Sequence, residues 1–158
     1  MAPFVILAVV TLVLLAAGTL GVSRLRPWPV AVRGGLAAMF TATGVSHFVG
    51  MRDVMIDMVP PDIPAPGLWV TVTGVLELAG AAGLLWKRTA PLAAGCLGLL
   101  LLAMFPANVY AAREGVLTAW DDQLLPRSIL QVVFLAATLS VVTHHVRSGR
   151  AVRERRQL

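Results

Sequence analysis

Five runs of about twenty predominantly apolar residues dominate the chain, and that length is what a helix needs to cross the roughly 30 Å hydrocarbon layer of a bilayer. They fall at about 3–22, 31–49, 67–86, 90–112 and 128–146. With 58% hydrophobic and 13% charged residues in a chain of 158 and a mean hydropathy of +0.81, a water-soluble core cannot absorb so much apolar surface. Lipid must cover the excess. The expectation is one all-α membrane domain over residues 1–158, an integral membrane helical bundle with five spans.

The connectors set an orientation. No basic residue precedes the first run, while Arg24 and Arg26 follow it. A cleaved signal carries its charge on the other side, so this run reads as a retained helix with its N-terminus outside. Arg24, Arg26, Arg33, Lys87, Arg88, Arg147, Arg150, Arg153, Arg155 and Arg156 then lie inside, and Arg52, Arg113 and Arg127 outside. Ten of the thirteen basic residues thus obey the positive-inside rule. The net charge of +5 is spread over these connectors rather than over one soluble face, which argues against nucleic acid as a partner. Residues 150–158 form a basic cytoplasmic tail, either a stop signal or a site for anionic lipid.

The segment Gly44 to Glu77 is the hinge of the sequence. Pro60, Pro61, Pro64 and Pro66 interrupt any helix there, since each lacks an amide hydrogen and restricts the residue before it. Ahead of them, Val54, Met55 and Met58 share one face of a short interfacial helix, with Arg52, Asp53 and Asp57 pointing elsewhere. Trp28 and Trp120 suit interfacial positions, Asp121 and Asp122 face water, and Pro106 is placed to kink the fourth run.

Polar residues inside the runs carry whatever chemistry the chain has. Glu77 lies about ten residues into the third run, near mid-bilayer at 1.5 Å per residue. Thr73 is one turn outward on the same face. His47, Asn108 and Gln131 fall at the outer ends of the second, fourth and fifth runs, and Tyr110 follows Asn108. A carboxyl in hydrocarbon is costly when ionised, so Glu77 is expected to be protonated or matched by a donor such as His47 or Asn108. Two readings stay open: an outward-facing pocket floored by Glu77 and rimmed by His47, Asn108 and Gln131, or ties that merely hold helices together.

Other chemistries find little support. Cys96 is the lone cysteine, so no disulfide or Cys-x-x-Cys relay forms within the chain. His144 and His145 lie across the membrane from His47, which denies the three a common metal site. Met51, Met55 and Met58 read as apolar contacts before soft-metal ligands. No nucleotide loop, nucleophile elbow or zinc-helix signature is present.

Four motifs, G-V-S-H-F at Gly44 to Phe48, V-P-P-D-I-P at Val59 to Pro64, G-V-L-E-L at Gly74 to Leu78 and F-P-A-N-V-Y at Phe105 to Tyr110, resemble the DoxX-like family of small bacterial integral membrane proteins. The resemblance implies a four-helix core in the bacterial cytoplasmic membrane, to which this chain adds an N-terminal span. Some members of the wider family serve membrane redox complexes, including thiosulfate or sulfur oxidation with quinone as acceptor. Distant eukaryotic relatives act in receptor assembly or cargo export. This chain lacks the paired cysteines of related thiol-oxidising bundles.

The functional expectation is an accessory or binding protein whose pocket takes an apolar molecule with one polar end, or a partner's helix. The alternative is a subunit of a quinone-linked oxidoreductase in which Glu77 and His47 pass protons to a quinone supplied with electrons by a partner. A transporter fits less well, because polarity thins out on the cytoplasmic side of Glu77. The oligomeric state is left open, a homo-oligomer included.

Overall fold

The structure, a computed structural model, describes residues 1–116, 119–120 and 123–155, the last seven of these by backbone alone. Among the described residues six α-helices follow one another: α1 (Ala2–Thr19), α2 (Trp28–Ser46), α3 (Arg52–Asp57), α4 (Pro66–Leu85), α5 (Ala90–Arg113) and α6 (Leu124–Arg155). A single 3-10 turn at Ser23–Leu25 joins the first two. The short amphipathic helix expected ahead of the prolines is α3.

Among the described residues four helices are long and apolar enough to cross a membrane: Ala2–Thr19, Pro66–Leu85, Ala90–Arg113 and Leu124–Ser148. The second run differs from the other four. It forms a 19-residue helix, α2, but that helix is not among the four, because Arg33, paired glycines and several hydroxyl residues dilute its apolarity. Its place in the bundle explains why that is tolerated. Ala31, Leu36, Met39 and Phe40 are all buried, so α2 shows most of its surface to protein rather than to the surroundings.

The helices α2, α4, α5 and α6 close a ring, with α2 packed along α4, α5 packed between α4 and α6, and a thinner seam between α2 and α6. Helix α1 packs along α2. Gly35 makes the approach close: a Cβ there would sit 2.1 Å from Thr11 Oγ1 and 2.8 Å from the Leu7 carbonyl oxygen. The core holds Leu36, Phe40, Leu84, Leu97, Phe134 and Val141. Leu12, Leu92, Leu99, Val132 and Leu139 point outward, an apolar exterior of the kind that lipid covers.

Two arginines staple α2 to α4, one at each end. Arg33 donates to the Leu84 and Leu85 carbonyls at 2.9 and 3.1 Å, meeting acceptors that the end of α4 leaves without helical donors. Arg52 donates to the His47 carbonyl at 3.2 Å, the Gly67 carbonyl at 3.1 Å and Thr71 Oγ1 at 3.0 Å. Charges read from the sequence as topology markers therefore also serve as caps.

The last helix begins earlier and runs further than the apolar run at 128–146, reaching Arg155 as one element. No proline interrupts it after Pro126, so the basic tail continues the helix backbone. Asp121 and Asp122 lie outside the described residues, as do the side chains of 150–158. Trp120 is exposed.

Candidate functional site

The ring of helices does not fill its own centre. A cavity of about 900 Å³ opens there, bounded by α2, α4, α5 and α6, by the first turns of α1 through Met1, Pro3 and Ile6, and by α3 with the proline loop behind it. The N-terminal helix, an addition to the four-helix core expected from sequence, thus forms part of the cavity wall. Most of the lining is apolar. All six methionines of the chain, Met1, Met39, Met51, Met55, Met58 and Met104, belong to it. Methionine side chains adapt to irregular shapes and offer polarizable contact, so these walls suit an apolar occupant of no single outline.

Polar groups gather at two poles. The deeper pole lies between α2 and α4, where Glu77 and His47 are 3% and 4% exposed. Missing side chains on both helices let them meet. A Cβ on Gly74 would sit 2.6 Å from His47 Cβ, a distance that only glycine permits, and one on Gly44 3.2 Å from Glu77 Cβ, tighter than an ordinary side-chain contact. Thr43, one turn before His47 on α2, donates its hydroxyl to Glu77 Oε2 at 2.5 Å. His47 Nε2 faces Glu77 Oε1 at 3.7 Å.

The other imidazole nitrogen settles the tautomer. Nδ1 lies 2.8 Å from the Val70 carbonyl, a group that only accepts, so Nδ1 carries the hydrogen. Thr73 Oγ1 stands 3.2 Å from the same nitrogen and donates to the Trp69 carbonyl at 2.8 Å, which leaves its lone pair for the ring. The side of the ring facing Glu77 is therefore Nε2. At 3.7 Å the two groups are too far apart to saturate each other. Each keeps capacity for an oxygen of a bound molecule.

The second pole joins α5 to α6. Arg127 donates to Asn108 Oδ1 at 2.6 Å, and Gln131, 8% exposed, donates to the Leu101 carbonyl at 2.8 Å. Pro106 deprives the Leu102 carbonyl of its helical donor, yet Gln131 bonds the carbonyl one residue earlier.

Of the residues singled out from sequence, Glu77, His47, Thr73, Asn108 and Gln131 all line the one cavity. Glu77, His47 and Thr73 form one connected group. Asn108 and Gln131 do not join it; each spends its hydrogen bond within the α5–α6 seam. Tyr110 is not part of the lining, because two residues beyond Asn108 is about 200° round a helix. Thr43, Arg127 and all six methionines lie outside the pocket expected from sequence, which reads Met51, Met55 and Met58 only as apolar contacts. Thr43 was findable, since it stands four residues before His47 and so shares its face. Arg127 was not, because its partner Asn108 is brought to it only by the packing of α6 on α5. Among the described residues no three His, Cys, Asp or Glu side chains come together, and His47 with Glu77 falls short of a four-ligand set.

No curated protein and no solved structure matches the chain. One family does, and it covers more than half the length, from the middle of α2 to the apolar part of α6. Through residues 36–142 the chain belongs to the family described as a domain of unknown function, DUF8561.

Proposed function

We propose that this chain is a five-span protein of the bacterial cytoplasmic membrane, N-terminus outside, that binds an apolar small molecule with one polar end in the cavity centred on Glu77. It acts as an accessory or binding protein rather than as a catalyst by itself. Kinship with DoxX-like proteins, carried by the four motifs, belongs to the same reading. The observation that supports it most is the Glu77–His47 pair, buried yet unsaturated, on the wall of a cavity of about 900 Å³. An acid at membrane depth is expensive, and an interior one points to a functional role by default.

Native mass spectrometry of the full chain released from gentle detergent tests this. The wild-type chain retains a small molecule, and Glu77→Gln, which keeps shape but replaces the carboxyl group with an amide, loses it while inserting normally. Equal retention by both would remove Glu77 from the centre of the site.

A second reading is favoured by the approach of an acid and an imidazole to 3.7 Å on the cavity wall: a membrane subunit of a quinone-linked oxidoreductase, with Glu77 and His47 exchanging protons with the head group while electrons come from a partner. Quinone or a redox enzyme co-purifying with the chain selects this reading over simple binding.

A further inference from the structure

Charge divides unevenly between the two ends of the bundle. At the end where α3 lies, Asp53, Asp57, Asp62 and Glu114 are found, and Arg52 and Arg127 are both bonded to protein groups. The opposite end holds Arg24, Arg26, Lys87, Arg88 and Arg147, all exposed. Among the described residues none of these five makes an ion pair or a side-chain hydrogen bond, and no described carboxylate lies at that end.

Packing gathers these cations from three connectors that are far apart in sequence. Arg33, early in α2, donates to the Leu84 and Leu85 carbonyls, which sets the α1–α2 connector with Arg24 and Arg26 beside the α4–α5 turn with Lys87 and Arg88. Trp28 meets His144 edge to face, with ring centroids 5.7 Å apart and planes at 70°. Arg147, a turn further along α6, is thereby brought to the same connector.

Two tryptophans stand in this collar. Trp28 is 49% and Trp86 63% exposed, and neither indole N–H has an acceptor among the described residues. Trp69, at the other end, instead donates to the Pro64 carbonyl at 3.2 Å. Beside the cations Leu20, Leu85 and Val146 are exposed as well, continuing the apolar flanks of α1, α4 and α6. The charges therefore sit where the lipid-facing surface ends, the level of the head groups at which tryptophan is enriched.

We infer that this collar is a binding surface for anionic phospholipid, with the arginines and lysine on phosphate oxygens and the two indoles donating to phosphate or ester oxygens. The chain leaves the counter-charge of five cations to be supplied from outside, and phosphate suits guanidinium forks and ammonium groups alike. A lipid fits these positions better than an acidic protein does, because a polypeptide would have to push between head groups to reach cations at the hydrocarbon edge. None of the five cations and neither tryptophan lines the cavity, so collar and cavity stand or fall separately.

The full chain in detergent, exchanged against an equimolar mixture of phosphatidylglycerol and phosphatidylcholine with matched acyl chains and weighed by native mass spectrometry, tests the collar. Phosphatidylglycerol should be retained at least about tenfold over phosphatidylcholine, and each cation changed to glutamine should lower that preference by up to about fivefold, the equivalent of about 1 kcal/mol per basic side chain at an anionic surface. Arg24→Gln with Arg26→Gln and Lys87→Gln with Arg88→Gln are made as separate pairs, so that one is enough if the other fails to fold. Trp28→Phe with Trp86→Phe keeps every charge and should lower retention of both lipids alike; no change would strike the indoles from the surface. Equal retention of the two lipids by the wild type overturns the assignment, and an acidic protein carried through purification in their place would make this end a protein-docking surface instead. If changing Arg150, Arg153, Arg155 and Arg156 to Gln abolishes the preference while both collar pairs behave as wild type, the lipid sits on the tail and the collar falls.

Discussion

Gly74 and His47 meet across the α2–α4 seam, where a Cβ at residue 74 would fall 2.6 Å from His47 Cβ and 2.9 Å from Phe48 Cε2. The imidazole has its place only because the facing helix has no side chain there. Gly74→Ala must therefore push the helices apart, at a cost of about 1–3 kcal/mol for overpacking, and carry Nε2 away from Glu77. A lower melting temperature in detergent and loss of the retained small molecule are expected together. Gly95, with nothing within 4 Å of a Cβ, provides the control, since Gly95→Ala should be stabilising by about 0.4–1 kcal/mol.

Arg52 makes three hydrogen bonds that hold α3 over the cavity. Arg52→Met keeps some of the apolar stem and removes every donor, leaving acceptors whose bonds to a charged group are worth about 1.5–3 kcal/mol each at most. Amide hydrogen exchange over residues 53–58 should rise well above that of α2 and α4. Unchanged exchange there would mean that packing alone seats α3.

At the opposite end Arg33 meets the Leu84 and Leu85 carbonyls with two different nitrogens. Arg33→Ala should fray the last turn of α4, seen as faster exchange at the amides that follow it. Arg33→Lys should recover only part of the protection, because a single ammonium does not reproduce the planar fork of a guanidinium.

The five-span topology makes a prediction that is independent of the pocket. In a Cys96→Ala background, single cysteines placed between Asp53 and Pro64 should react with an impermeant thiol reagent from outside, and cysteines between Arg150 and Leu158 only from inside. The reverse pattern would overturn the orientation, and labelling of both segments from one side would require an even number of spans.

Thr43 donates to Glu77 Oε2 and is the nearest partner the acid has. Thr43→Val preserves shape and deletes that donor, at an expected cost of about 1 kcal/mol. Its effect on ligand retention should be smaller than that of Glu77→Gln, because the carboxyl group facing His47 survives. An effect as large as that of Glu77→Gln would shift the centre of the site to the hydroxyl.

Hydropathy and proline placement alone determined that this chain would be a bundle of long apolar helices, and they located its helices to within a few residues except at the two ends of α6. They also identified Glu77 and His47 as the polar residues hardest to explain away, since burying an acid in an apolar run is costly wherever the run goes. The tertiary structure decided which polar residues meet. Helical spacing reports which side chains share a face, as Thr43 and His47 do, but which face turns towards which neighbour is fixed by glycine contacts such as Gly44 with Glu77 and Gly74 with His47. Asn108 is a candidate donor to the acid and Gln131 a rim residue by sequence, yet packing of α5 on α6 turns them to Arg127 and Leu101. The gathering of all six methionines around one cavity was equally invisible in the linear order, because residues from 1 to 104 become neighbours only when the ring of helices closes.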